Sequence, residues 1–197
     1  MNNTYLFFDT ETTGLPKNYK VHYSEKDNYP FLVQLAWILY QNEKEISFSD
    51  FIIIPNGFEI PESAINIHGF SNEYCNENGY DLKKILNKFY TDFKLCDMLV
   101  AHNLEFDKNI ICSELYRNNA AKHAEEIYKS KGLCTMKESI DFCKIPGKYG
   151  NKFPKLSELH TQLFSENFDN AHNALNDIRA TAKCFFEMKK RNIIKVN

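Results

Sequence analysis

The chain has 197 residues, enough for one domain of ordinary size and too few for two. Hydrophobic residues make up 43% and charged residues 25%, close to the average for globular chains, which excludes disordered and fibrous classes. Lys and Arg number 24 against 26 Asp and Glu, so the net charge of −2 excludes a chain that holds a polyanion by bulk charge, and any basic groove must be local.

Met1-Asn2-Asn3-Thr4 carries no positive charge and the apolar Leu6, Phe7 and Phe8 stop at Asp9, so no signal peptide is expected. Tyr5 to Asp9 reads as a first strand, and Thr10 to Pro16 closes on a Thr-Thr-Gly-Leu-Pro turn. A polar, Tyr-rich loop follows over residues 17–30. Phe31 to Tyr40 and Ile46 to Ile54 are apolar, β-prone runs flanking Gln41-Asn42-Glu43-Lys44, which predicts an antiparallel hairpin. The first of these runs, interrupted by Gln34, is the longest apolar stretch and falls far short of the roughly 20 residues that cross a bilayer, so no membrane association is expected.

Helical character begins afterwards. Pro61-Glu62 opens a short helix that His68-Gly69 should end, and Asp81 to Lys94 carries Leu82, Ile85, Leu86 and Phe89 at helical spacing. Met98 to Ala101 reads as a short buried strand. Residues 104–117, with Leu104, Ile111 and Leu115 on one side, form a helix that Asn103 is expected to cap. Leu133 to Thr135 is a brief strand, Lys155 to Phe164 a helix, and Ala174 to Lys190 a longer helix with Leu175, Ile178, Ala182, Phe185 and Phe186 on its apolar face. Strands gathered early and then alternating with helices predict an α/β fold, a mixed sheet flanked by helices, in a single domain over 1–197. The six cysteines show no CxxC pair or metal-ligand spacing, so reduced core thiols in a cytoplasmic protein are expected.

The sharpest chemical feature is Asp9-Thr10-Glu11 directly after an apolar strand. Side chains alternate on an extended chain, so Asp9 and Glu11 point to one side and can offer oxygen ligands to one cation. Asp107 lies on the helix after the Met98–Ala101 strand, and Asp177 lies early in the last helix, each a short step beyond an apolar element, where a sheet presents its edge to a crevice. Converging carboxylates repel, so their assembly calls for divalent cations, and all-oxygen ligands favour Mg²⁺ or Mn²⁺ over zinc. Two such ions about 4 Å apart form the clamp used for in-line attack on phosphodiesters. A general base could be His102 or His172. Each precedes an Asp by five residues, so spacing leaves both open.

Phe7-Phe8-Asp9-Thr10-Glu11-Thr12-Thr13-Gly14-Leu15 resembles the first motif of the DnaQ-like exonucleases. Ala101-His102-Asn103-Leu104-Glu105-Phe106-Asp107 resembles the second, and His172 to Asp177 followed by Ala180-Thr181 resembles the third, in the DEDDh branch. Ile60-Pro61 to Ile67-His68-Gly69-Phe70 and Lys155-Leu156-Ser157-Glu158-Leu159 also match. The resemblance implies a ribonuclease-H-like fold and 3′→5′ exonuclease activity on single-stranded DNA, releasing nucleoside 5′-monophosphates with two Mg²⁺ or Mn²⁺ ions. It implies that Asp9, Glu11 and Asp177 surround the catalytic ion, that Asp9 and Asp107 serve the second, and that His172 is the base. It further implies that Thr10, Thr12, Thr13, Gly14 and Leu15 cradle the 3′-terminal nucleotide, and that His68, Asn103 and Phe106 line the substrate site. His102 is then expected to be a satisfied structural histidine.

Two features leave substrate choice open: the long loop between Pro16 and Pro30, and Asn173 and Asn176 in the third motif. The expected partner is a single-stranded DNA 3′ end, with RNA as a further substrate and a polymerase partner or homodimer undetermined. The alternatives are an exoribonuclease of the same fold trimming short RNA and a non-catalytic nucleic-acid-binding polymerase accessory subunit. Lys144, Lys148, Lys152 and Lys155, interleaved with Tyr149 and Phe153 and free of acids, read either as a phosphate-tracking stretch or as a solvated loop.

Overall fold

The computed structural model describes residues 3–166 and 174–196. Strand β1, Thr4–Thr12, runs through the centre of a sheet and carries the Asp-Thr-Glu motif on its last residues. It pairs antiparallel with β2, Leu32–Gln41, which pairs antiparallel with β3, Lys44–Ile52. The β2–β3 connection turns on Asn42 and Glu43, both at positive φ, the conformation that a two-residue hairpin turn demands. On its other side β1 pairs parallel with β4, Met98–Ala101, and β4 with β5, Gly132–Cys134, giving the order β3-β2-β1-β4-β5.

Alternation along β1 divides the core. Leu6 and Phe8 face one layer with Leu35, Trp37 and Leu39 of β2, and Tyr5 and Phe7 face the other with Ala36 and Ile38. The first face is covered by α3, Leu82–Phe93, α4, Leu104–Arg117, and α5, Ala121–Lys129. The Asp81 side chain caps α3 through the Lys84 amide at 3.0 Å, and Ile85, Leu86, Phe89 and Phe93 turn inward at the spacing of one helical face. Trp37, fully buried, reaches α3 by donating its indole N–H to Asp92 at 2.7 Å.

The second face is covered by α8, Leu156–Phe164, and α9, Ala174–Lys190. Ile178, Ala182, Phe185 and Met188 of α9 are buried there, and Phe185 meets the ring of Tyr5 edge-on at 4.9 Å. Helices α1, Glu62–His68, and α2, Asn72–Asn78, pack beside the start of β2 around Val33, Ile60, Ala64 and Cys75. Short α6, Thr135–Glu138, and α7, Ile140–Cys143, lead into a two-stranded hairpin of β6, Pro146–Gly147, and β7, Gly150–Asn151.

The expected strands and helices are all found, with the first strand extending three residues further, through Thr12. Helices α2, α5, α6 and α7 and the β6–β7 hairpin add to the elements expected from the sequence. All six cysteines are free thiols and five are buried. Among the described residues no helix is long and apolar enough to cross a membrane.

Candidate active site

The end of β1 outruns its parallel neighbour. Pairing with β4 stops at Phe7↔Val100, whereas β1 continues to Thr12. The Thr4 carbonyl accepts from Asp97 at the β4 side, so by alternation the Thr10 amide faces the same side, past the point where β4 has ended. Asp107 of α4 takes that place. Its Oδ1 accepts the Thr10 amide at 3.1 Å and the Thr10 hydroxyl at 2.7 Å, and the side chain is only 2% exposed.

Asp9 and Glu11 flank Thr10 and point to the opposite face, toward α9, where Asp177 sits in the first turn. The electrostatics confirm that these groups share one region. Burial, then the charges of Asp107, Glu11 and Asp177, hold the Asp9 carboxyl well above its ordinary range. Burial and then Asp177 push Glu11 up to about 7. Burial also pushes Asp107 up to about 7, with Glu11 adding to it and the Thr10 hydrogen bonds pulling the other way. Among the described residues no three His, Cys, Asp or Glu side chains are already disposed to hold an ion between them, so the carboxylates share a field without forming a closed chelate. Their chemistry fits a hard divalent cation nonetheless. The donors are all oxygen, and the raised pKa values of Asp9, Glu11 and Asp107 are ones that a neighbouring cation would lower.

Beyond β1 the chain turns at Thr12–Leu15. The Thr12 hydroxyl donates to the Gly14 carbonyl at 2.7 Å, and Gly14 adopts φ +153°, which residues with a Cβ rarely do. Thr13 exchanges two bonds with Phe31: its amide donates to the Phe31 carbonyl at 2.9 Å, and its hydroxyl accepts the Phe31 amide at 3.0 Å. Leu15 stands 72% exposed at the outer edge of this turn. A β-bulge in the β1–β2 ladder, where Glu11 opposes Gln34 and Thr12 opposes Leu32, bends the strand at the point where the turn begins.

His68, at the end of α1, is buried. Its Nδ1 accepts the Phe70 amide at 3.1 Å, and among the described residues its Nε2 has no hydrogen-bond partner. Burial lowers its pKa, and the neighbouring Thr12 backbone opposes that shift, so this ring borders the turn. Asn103 holds the N-cap position of α4 at φ +95°, but its side chain accepts no helix amide, contrary to the expectation; the left-handed conformation turns it away from them. Phe106, half-buried, packs its ring against the first core layer. His172 and Asn173 of the third motif lie outside the described residues.

His102 has both ring nitrogens engaged. Nε2 lies 3.0 Å from the Pro154 carbonyl and Nδ1 3.0 Å from the Thr135 hydroxyl. A carbonyl only accepts, so Nε2 carries the proton and Nδ1 accepts from Thr135. Burial pushes this imidazole down to about 4, against the pull of the Pro154 carbonyl. It is a structural histidine, as expected.

A clamp behind the turn is not visible in the sequence. Arg117 of α4 donates to the carbonyls of Lys26, Tyr29 and Pro30 and to Glu114 at 2.8 Å, and its guanidinium lies 4.6 Å from the centre of the Phe31 ring. Glu114, buried, accepts the Leu32 amide at 3.1 Å. The 17–30 loop is therefore held at its exit, next to the residue that Thr13 grips. A buried acid three residues before an Arg was the available signal, but their partners lie more than 80 residues away.

The RNase_T exonuclease family matches residues 6–185. The chain is 26% identical over 200 residues to the PolC-type DNA polymerase III of Lactococcus lactis subsp. lactis, an alignment covering 96% of this chain and 10% of the polymerase. It is 32% identical over 117 residues to the PolC-type DNA polymerase III of Ureaplasma parvum, covering 59% and 7%. The chain thus spans about a tenth or less of the length of these relatives. Among solved structures, exonuclease I superposes with a TM-score of 0.76 at 19% identity, covering 97% of this chain and 42% of that one. Exonuclease I of E. coli in complex with a dA16 oligonucleotide gives 0.74 at 21% identity, covering 96% and 41%. At those identities the likeness is one of fold, here the ribonuclease-H-like sheet. With the family matched from β1 to the buried face of α9, the chain belongs to the DnaQ-like RNase_T exonuclease family.

Proposed function

We propose that the chain is a single exonuclease domain over 1–197 that removes nucleoside 5′-monophosphates from the 3′ end of single-stranded DNA with the help of two Mg²⁺ or Mn²⁺ ions. The observation that carries this reading is the gathering of carboxylates from β1, α4 and α9, close enough that Asp107, Glu11 and Asp177 raise the pKa of Asp9 and Asp177 raises that of Glu11. DNA is favoured over RNA because the polymerase relatives and the oligonucleotide complexes of E. coli exonuclease I are DNA proteins by name.

In this reading Asp9, Glu11 and Asp177 hold the catalytic ion and Asp9 and Asp107 the second. When bound, the ions supply charge neutralisation at the phosphodiester and orient the attacking and leaving oxygens. Thr10 fixes the rotamer of Asp107, leaving Oδ2 for its ligand role. Thr12, Thr13 and Gly14 cradle the terminal nucleotide, Leu15 lies against its base, and His68, Asn103 and Phe106 line the remainder. His172 takes the proton from the attacking water.

Incubating the protein and Mg²⁺ with 5′-labelled and 3′-labelled oligonucleotides of one sequence, as DNA and as RNA, tests the reading. The expected result is a ladder shortening from the 3′ end of the 5′-labelled DNA, with mononucleotides released at once from the 3′ label. Shortening from the 5′ end, or equal turnover in excess EDTA, overturns it.

A further inference from the structure

We infer that the β6–β7 hairpin is a docking ridge for the single-stranded nucleic acid that trails from the active site, an inference that rests on the exonuclease reading. The hairpin is closed by β6–β7 pairing and by the Lys152 amide on the Ile145 carbonyl at 2.9 Å, with Lys148 and Tyr149 at its tip. Tyr149 is 90% exposed, and the Lys148 ammonium lies 5.1 Å from its ring centre, which leaves a ring face and a cation presented together. Phe153 adds a second half-exposed ring on the descending arm.

Charge on the ridge is of one sign, since no acid occurs between Lys144 and Lys155. Lys152 is excluded from the binding set, because it pairs with Glu158 at 2.6 Å. Lys144, Lys148 and Lys155 are exposed and form no ion pair among the described residues. Three cations flanking two aromatic rings match a nucleic acid, whose phosphates meet the cations and whose bases stack on the rings, whereas acidic side chains offer the rings no aromatic face.

The ridge is also fixed to the site. An isolated two-stranded hairpin is marginal in water, and this one is rooted at both arms. The Lys152–Glu158 pair ties it to α8, and the carbonyl of buried Pro154 accepts the Nε2–H of His102, the residue before Asn103 at the N-cap of α4, the helix that carries Asp107. A Cβ on Gly147 would come within 3.0 Å of the Gly150 carbonyl, so the narrow neck is built for glycine. His102 thus anchors a substrate platform and has no need of proton chemistry.

The test uses Tyr149→Ala and Lys144→Gln/Lys148→Gln in the full chain, with melting temperature as a folding control. Binding of a 5′-fluorescent dT20 is read by anisotropy in EDTA, independently of turnover, and hydrolysis of dT20 and of a dT2 dinucleotide is read with Mg²⁺. Loss of one stacked base weakens dT20 binding by roughly 5- to 100-fold, and each lysine removed shallows the salt slope by about 0.7. KM for dT20 rises while kcat on dT2 stays at the wild-type value. Unchanged dT20 affinity and salt slope overturn the ridge, as does equal loss of affinity for a poly-glutamate peptide, which would make the surface a general anion site. No hydrolysis of either substrate by the wild type would instead refute the exonuclease reading, and weakened dT20 binding in the variants would then keep the hairpin only as a nucleic-acid-binding surface.

Discussion

Both hydrogen-bond donors of Thr10, its amide and its hydroxyl, converge on the same oxygen of Asp107. A carboxylate that accepts two bonds is favoured in its charged form, so Thr10 works against the burial that pushes Asp107 up to about 7. Thr10→Val keeps the shape and removes the hydroxyl. The expected outcome is a rise in the pKa of Asp107, seen as a shift of the acid limb of kcat/KM to higher pH, with a stability loss of about 1 kcal/mol. An unshifted pH profile would reduce Thr10 to a packing residue.

Asp9→Asn and Asp107→Asn should each lower kcat by more than about 100-fold, since even groups that only support a metal ligand cost 10- to 100-fold when removed. In EDTA the same variants should melt no lower than the wild type, because each relieves a buried acid of its repulsive neighbours. A large drop in Tm would mark the carboxylates as structural.

Stability should depend on pH in two opposing ways. Glu11 and Asp107 titrate near 7 in the folded chain, above their ordinary 4.5 and 3.8, so the folded state binds the extra protons and stability falls as pH rises from about 4 to about 7. His102 titrates near 4, below its ordinary 6.5, so stability is lost as pH falls through that window. In EDTA, the unfolding free energy of Glu11→Gln/Asp107→Asn minus that of wild type should therefore climb on the order of 6 kcal/mol from pH 4 to 7 and level off above pH 7. A flat difference would show that the two carboxyls are ordinary.

The two histidines should separate cleanly. Nitrogen NMR should find His102 as the Nε2–H tautomer, neutral down to about pH 4. His102→Ala should mainly lower Tm, whereas His172→Ala should lower kcat by roughly 10²- to 10⁴-fold with little change in DNA affinity. If His102→Ala carries the larger kcat effect, the assignment of the base to His172 is wrong.

Arg117→Met strips the bonds to the Lys26, Tyr29 and Pro30 carbonyls and leaves Glu114 buried without its partner, a loss of about 3–5 kcal/mol. Adding Glu114→Gln should recover part of it, because the amide removes the stranded charge. Urea unfolding of the two single variants and the double variant measures the coupling. Strict additivity would mean that the pair does not act as a clamp.

Elements that bury a long, regular face were legible from the residues alone. Helix α4 over 104–117 and α9 over 174–190 were expected at the bounds they occupy, and the β2–β3 hairpin was visible from two apolar runs around Gln41 to Lys44. Helix α5 was not, because only Ala124 and Ile127 of its residues are buried, too sparse a pattern to stand out. The β6–β7 strands have two residues each, below any periodic signal. At the site, alternation alone put Asp9 and Glu11 on one side of β1. The grip of Thr10 on Asp107 was hidden, since it arises from where β4 stops, a property of strand registry across 97 residues.

The loop that follows the turn is closed at its neck, Thr13 to Phe31 and Lys17 to Asn28. Closing a loop costs little more when it is longer, about 0.6 kcal/mol for each doubling in length. Residues inserted at an exposed point of this ring would therefore leave the turn at Thr12–Leu15 almost undisturbed. Tyr23 is buried in the core and Arg117 holds the Lys26 carbonyl, so the exposed Tyr19 and Lys20 are where natural variation and laboratory grafting should be tolerated first.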